Sequence, residues 1–161
     1  MPDAIATGEA GAALGLIILE KGPKTLAVTL TGELGVGKTT FCQGLGRALG
    51  AKPGEVKSPT FSLANEYLGT VTFGHLDLFR LEKNPLTEFL EAGLDEYLGG
   101  LCLVEWADRL PESVWPEDRI DISLTLTAQG RLLTGRGLGT AGLPVFGQWM
   151  RQLKNGMKTC E

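Results

Sequence analysis

Eight consecutive residues near the start of the chain have the types and spacing that phosphate binding requires. The run Gly32-Glu33-Leu34-Gly35-Val36-Gly37-Lys38-Thr39 fits the P-loop pattern, in which a glycine and four further residues precede Gly-Lys-Thr. The glycines free successive backbone N–H groups to meet phosphate oxygens, and the helix that begins here adds its positive dipole end. Lys38 supplies a charge for the β- and γ-phosphates. The Thr39 hydroxyl is placed to ligate Mg²⁺, with Thr40 as a weaker neighbour.

The flanking residues supply the context that this motif needs, which is a strand before it and a helix after it. Residues 26–31 are a short apolar, β-branched run that ends at Gly32. Beyond Lys38, apolar residues recur at helical spacing until Gly50, a favourable residue for ending a helix. A glycine-rich turn with a chance lysine is therefore the less favoured interpretation.

Two acidic residues follow strand-like runs and are candidates for the metal site. Four apolar residues at 101–104 predict a strand buried on both faces, and Glu105 follows them directly. A carboxylate at that position resembles the Walker B arrangement, which delivers an acid to Mg²⁺; the alternative is a solvated glutamate at a strand end. Asp77 emerges near the end of another predicted strand, and His75 precedes it on the same face. A lone histidine is more often a hydrogen-bonded structural residue than a catalytic one.

The sequence leaves two interpretations open for each of two further features, the segment 58–61 and Arg131. Ser58-Pro59-Thr60-Phe61 predicts either a rigid turn into a strand or a switch segment in which Thr60 senses the γ-phosphate. Arg131 is either a surface charge or a residue that approaches the nucleotide.

The remaining periodicity predicts an alternation of helices and strands. The predicted elements are a helix over 9–21 capped by Thr7, strands over 61–68 and 71–79, a helix over 85–98 with a break at Gly93, strands over 119–127 and near 131–133, and a terminal amphipathic helix containing Val145 and Leu153. We expect an α/β fold of the P-loop NTPase type: three layers, a mainly parallel central sheet with an antiparallel portion, and helices on both faces. One domain is expected over residues 1–155, followed by a frayed tail over 156–161.

Composition narrows the classes of function. The 161 residues carry a net charge of −4, which argues against a protein that binds nucleic acid without a partner. The three cysteines are odd in number and far apart, and with a single histidine they predict no zinc site at the usual spacings; Cys42 and Cys102 are expected as reduced core residues. We find no signal peptide and no run of membrane-spanning length, so a cytoplasmic protein is expected.

The motifs together resemble the TsaE family, formerly called YjeE. The resemblance rests on the P-loop, on Val56-Lys57-Ser58-Pro59-Thr60-Phe61, on His75-Leu76-Asp77-Leu78-Phe79-Arg80-Leu81 and on Leu103-Val104-Glu105-Trp106, in that order. It runs from about the first helix to Arg131. Glu33, Val36 and Phe79 stand where the family more often has aspartate, alanine and tyrosine.

The resemblance implies a small bacterial ATPase required for threonylcarbamoyl modification of adenosine in tRNA. It implies that Lys38 holds the phosphates, that Thr39 and Glu105 ligate Mg²⁺, and that Asp77 lies near the metal or positions the attacking water. Thr60 would sense the nucleotide, and Trp106 would pack near the site. Further nucleotide contacts would come from the loop and from the first helix and late turn, namely Gly32, Leu34, Gly35, Val36, Gly37, Thr40, Gly8, Gly130 and Arg131. The implied partners are TsaB and TsaD, with tRNA met only through that complex.

Three alternatives to this ATPase are a small-molecule kinase, a nucleotide-dependent assembly module that does not hydrolyse ATP, and a GTPase. Kinases of this size usually carry an arginine-rich lid, whereas here only Arg131 and Arg136 fall close together late in the chain. Glu105 and Asp77 argue against an inert module. The chain has no Asn-Lys-x-Asp element to select guanine.

Overall fold

A six-stranded sheet forms the centre of the molecule. The computed structural model describes residues 1, 3–59 and 62–158. Its strands are β1 Leu26–Thr31, β2 Ala64–Leu68, β3 Thr72–Asp77, β4 Leu101–Glu105, β5 Arg119–Thr127 and β6 Gly130–Leu138. They lie in the order β2-β3-β4-β1-β5-β6. The four central strands are parallel, and each edge strand is antiparallel to its neighbour.

Helices cover both faces of this sheet, which confirms the predicted three-layer α/β fold. The α-helices are α1 Ala4–Lys21, α2 Lys38–Ala48, α3 Pro85–Glu91 and α4 Gly139–Lys158. Helices α1, α2 and α4 share one apolar core with alternate residues of β1 and β5, among them Leu30 and Ile122. Phe89 of α3 lies in a second core on the other face, together with Cys102 and Val104 of β4. Alternation along each strand assigns its residues to one core or the other.

The parallel strands bring the predicted functional residues to one edge of the sheet. In parallel pairs the carboxyl ends of the strands meet at the same edge, where α/β proteins bind their ligands. Asp77 at the end of β3 is paired in register with Glu105 at the end of β4. Glu105 is in turn paired with Leu30, two residues before the P-loop begins.

Several predicted boundaries differ from the structure. Helix α1 begins at Ala4 and not at Glu9, because Asp3 caps it: its Oδ1 accepts from the Ala6 N–H at 2.8 Å, and Thr7 lies inside the helix. The strand predicted over 61–68 begins at Ala64. The strand predicted near 131–133 is longer, since β6 runs through Leu138 beside β5.

The carboxyl-terminal half also differs in detail from the prediction. Gly93, with a φ of 70°, divides the helix predicted over 85–98 into α3 and a 3₁₀ helix, Leu94–Gly99. Helix α4 continues through Lys158, beyond Asn155, where we predict fraying. Among the described residues, no helix combines the length and the apolar character needed to cross a membrane.

Candidate active site

The P-loop connects β1 to α2 and bends through three glycines with positive φ. Gly32, Gly35 and Gly37 have φ values of 143°, 78° and 115°, which side-chain-bearing residues rarely adopt. At Gly32 a Cβ would lie 2.4 Å from the Leu124 carbonyl oxygen, so β5 also excludes a side chain there. The loop therefore presents backbone to the cavity above it.

Lys38 is the first residue of α2, and its ammonium group is held within the loop. The Nζ donates to the carbonyl oxygens of Gly32 and Glu33 at 2.5 and 2.8 Å. It also lies 4.1 Å from the centroid of the Trp106 ring. Burial lowers the pKa of Lys38 from its ordinary value, while Glu105 and Asp77 oppose that shift. A charge withdrawn from water in this way is poised for an anionic ligand.

Glu105 connects the P-loop helix to the neighbouring strands through both of its carboxylate oxygens. The residue is only 2% exposed, so it is not the solvated strand end that was the alternative. Its Oε2 accepts a hydrogen bond from the Thr39 hydroxyl at 3.0 Å, and that hydroxyl also lies 2.9 Å from the Ser58 Oγ. Its Oε1 lies 3.1 Å from Nε2 of the fully buried His75. Glu105 is thereby fixed against rotation.

Asp77 places a second carboxylate beside Glu105. Burial raises the pKa of Asp77; the Phe79 backbone N–H donates to its Oδ1 at 3.0 Å and opposes that shift, whereas the charge of Glu105 adds to it. Two carboxylates and the Thr39 hydroxyl thus form an oxygen-rich wall facing Lys38. Hard divalent cations such as Mg²⁺ prefer such oxygen ligands, so the residues present fit this metal.

These groups line a cavity of about 240 Å³. Its lining residues are Leu34, Gly35, Gly37, Lys38, Thr39, Thr40, Ser58, Asp77, Phe79, Glu105 and Trp106. A larger cavity of about 440 Å³ lies between the loop after β4 and the β1, β5 and β6 strands. The two share no lining residue. Three of the four charged side chains in the larger one are already paired, because Arg136 forms salt bridges with both Glu112 and Asp121; the fourth is Asp108. The smaller cavity is therefore the candidate active site.

Comparison with known proteins identifies the family. The family model described as threonylcarbamoyl adenosine biosynthesis protein TsaE matches residues 2–133. The chain belongs to the TsaE family. It is 39% identical over 115 residues to the tRNA threonylcarbamoyladenosine biosynthesis protein TsaE of Treponema pallidum, which covers 70% of this chain and 80% of that one. It is 37% identical over 124 residues to the protein of the same name from a Nostoc species, covering 73% of each.

A solved structure supports the same assignment. The crystal structure of YdiB from Bacillus subtilis superimposes with a TM-score of 0.69 at 28% identity, covering 94% of this chain and 92% of that one. The family expected from the sequence motifs is thus confirmed.

Most of the predicted site residues of this TsaE-family protein converge, but a few lie behind the loop. Val36 and Gly32 do not line the described cavity. Val36 is fully buried in the core, and the Gly32 carbonyl oxygen accepts a hydrogen bond from Lys38. Gly8 of α1 packs beside Thr40: a Cβ on it would lie 3.8 Å from the Thr40 carbonyl oxygen. Thr60 lies outside the described residues.

Arg131 reaches the P-loop from β6, which settles its placement. Its Nε donates to the Val36 carbonyl oxygen at 2.6 Å, and a Cβ on Gly37 would lie 3.3 Å from that same Nε. Gly130 precedes it with a φ of 137°, at the turn from β5. Arg131 is thus bonded to the backbone of the loop and is not simply a surface charge.

Sequence reasoning missed two residues of the site, Ser58 and Arg109; it placed Trp106 near the site but missed its backbone conformation. Ser58 lies against Thr39, although only the proline after it gave a signal. Trp106 has a φ of 59°, a conformation that is rare for a bulky residue and typical of functional positions. The guanidinium of Arg109 lies 5.3 Å from the Trp106 ring centroid and 5.7 Å from that of Phe79. No local pattern in the sequence indicates that this arginine borders the site.

Proposed function

We propose that this protein is a Mg²⁺-dependent ATPase that drives the tRNA threonylcarbamoyladenosine modification complex in the cytoplasm with TsaB and TsaD as partners. The observation that carries the proposal is the contact between Thr39 on the P-loop helix and the buried Glu105, in the cavity that Lys38 also lines. A triphosphate needs backbone donors, a cation and an acid for its metal, and all three line this one cavity.

Each group has a defined role under this proposal. The loop amides and Lys38 would bind the β- and γ-phosphates, and Thr39 with Glu105 would hold Mg²⁺. Mg²⁺ supplies charge neutralisation for the transferred phosphoryl group. Asp77, whose pKa is raised by burial, would accept a hydrogen bond from the attacking water or stand beside the metal.

Docking of the proposed partners would explain how a site with few arginines could hydrolyse ATP at a useful rate. Arg109 stacks on aromatic rings and Arg131 is bonded to the loop backbone, so both are already engaged. We therefore expect slow turnover by the isolated chain and faster turnover when TsaB and TsaD dock. Contact with tRNA would occur only through that complex, in agreement with the net charge of −4.

Phosphate release from ATP, measured with and without the TsaB–TsaD heterodimer, tests the proposal. The wild type should accelerate when the heterodimer is added. Glu105→Ala should lose on the order of 100-fold in rate and should require more Mg²⁺, because one ligand and its charge are removed. The exposed Glu91 of α3 provides the matched control, and Glu91→Ala should behave as the wild type does.

Other outcomes favour the competing functions. Equal phosphate release by the wild type and Glu105→Ala would refute hydrolysis at this site and favour an assembly module. Transfer of phosphate to a metabolite would favour a kinase. A rate that the heterodimer leaves unchanged would contradict the proposed partners.

A further inference from the structure

Three buried side chains with different donor atoms lie close together where the P-loop helix α2 approaches β3 and β4. Cys42 of α2, His75 of β3 and Glu105 of β4 all have less than 3% of their surface exposed. One ligand atom from each lies within 4.8 Å of the others. His75 Nε2 lies 3.1 Å from Glu105 Oε1.

This cluster shares Glu105 with the oxygen-rich wall that suits Mg²⁺ but differs from it in donor chemistry. Sulfur, imidazole nitrogen and carboxylate oxygen together are ligands of zinc and of similar thiophilic cations. Glu105 belongs to both sites, since Oε2 accepts from Thr39 whereas Oε1 faces His75. The second ring nitrogen of His75, Nδ1, is buried and has no hydrogen-bond partner in the described structure.

The distances require little rearrangement for a bound cation. Tetrahedral zinc has bonds of about 2.0 Å to nitrogen and oxygen and about 2.3 Å to sulfur, which separates its ligand atoms by about 3.3–3.6 Å. Since the widest separation in the cluster is at most 4.8 Å, rotamer adjustments of about 1 Å would bring the three donors together. The fourth position would be taken by water from the neighbouring cavity, which Glu105 lines.

We propose that Cys42, His75 and Glu105 form a second, inhibitory metal site that binds a thiophilic divalent cation of the zinc class. The cation bonds to the Cys42 sulfur, and the thiol proton leaves to the buffer. Because Glu105 Oε1 then bonds to this cation, less of the carboxylate's negative charge remains on Oε2, the oxygen that faces Thr39 and would ligate Mg²⁺. The site depends on the proposed function only for its inhibitory effect, whereas its occupancy can be measured without ATP.

Cobalt(II) is the probe for occupancy, because a thiolate bound to cobalt absorbs in the near ultraviolet. The Cys102→Ala/Cys160→Ser double variant leaves Cys42 as the only one of the three cysteines. Titrating this variant with CoCl₂ should produce the thiolate band with saturation at one equivalent, and added ZnCl₂ should abolish the band. A further Cys42→Ser change should remove the band, and His75→Gln should weaken cobalt binding at least 10-fold.

Absence of the band in the double variant, or its persistence after Cys42→Ser, would overturn the proposal. Thermal unfolding of the double variant gives an independent measurement that needs no further substitution. Zn²⁺ should raise its Tm in a concentration-dependent manner, whereas equimolar Mg²⁺ should have a smaller effect. A Tm that responds equally to the two ions would also contradict the site. If ATP hydrolysis were absent but cobalt bound as described, the metal site would stand and the proposed function would fail.

Discussion

Close contact between α1 and α2 holds the P-loop helix in place, and substituting alanine for Gly11 of α1 should disrupt it. A Cβ at Gly11 would lie 2.2 Å from the Phe41 carbonyl oxygen, far inside normal contact. The obstacle is helix backbone, which cannot rotate away as a side chain can. The two helices would have to separate by about 1 Å, a distance judged from ordinary carbon contacts near 3.5 Å.

The expected free-energy change combines two opposing effects. Replacing glycine by alanine inside a helix by itself stabilises by about 1 kcal/mol. Overpacking costs about 1–3 kcal/mol and more where backbone must move. We expect a net loss of about 2 kcal/mol of unfolding free energy. For a chain of this size that corresponds to a fall in Tm of roughly 4–8 °C. Phosphate binding should weaken as well, since Gly8 of the same helix packs beside Thr40.

Gly147 of α4 provides the matched control for this experiment. A Cβ there would meet only the Arg151 Nη1 atom at 3.5 Å, an ordinary contact. Gly147→Ala should therefore be neutral or stabilise by up to about 1 kcal/mol. Urea and thermal unfolding of both variants measure the difference. If Gly11→Ala were as stable as Gly147→Ala, the argument from the tight helix contact would be refuted.

Two further predictions follow from the buried groups. Adding Mg²⁺ and ATP should change the tryptophan emission of the wild type but not of Trp106→Phe, because Lys38 lies 4.1 Å from that indole and a triphosphate would draw its ammonium away; an equal change in both proteins would contradict this. Burial raises the pKa of Cys102 from its ordinary value of 9.0 to about 12. Only the unfolded state releases this proton between those values, so the unfolding free energy should fall as pH rises, by about 1.4 kcal/mol near pH 10. Urea unfolding across that range should show a correspondingly smaller fall for Cys102→Ala, and equal slopes for the two proteins would refute the argument.

The sequence predicted those parts of the site that depend on local pattern. A β-branched run, three glycines and a helical period are enough to place Lys38 at the start of a helix. The apolar run before Glu105 predicts a strand buried on both faces, and such a strand in an α/β fold is parallel and central. The same reasoning predicts that Asp77 lies near Glu105, because the carboxyl ends of parallel strands share one edge of the sheet.

The contacts between distant segments could not be predicted in this way. The bond from Arg131 to the Val36 carbonyl oxygen spans 95 positions and depends on the register of β6 against β5. The approach of Ser58 to Thr39 depends on a connection without a period of its own. The meeting of Cys42 with Glu105 depends on which face of α2 contacts the sheet. Local propensity carries no information about such pairings; strand register and side-chain rotamers determine them.

The same residues also show why this site is arranged at some cost to stability. Burial lowers the pKa of Lys38 and raises that of Asp77, so the folded chain disfavours the charged form of both. A protein selected only for stability would expose these groups or replace them with apolar residues. Under the proposed function, phosphate oxygens would meet the ammonium and a divalent cation would meet the carboxylates. Ligand binding would then give both unfavourably buried charges a partner of opposite sign. The stability that the folded chain loses by burying them would contribute to the affinity for the ligand.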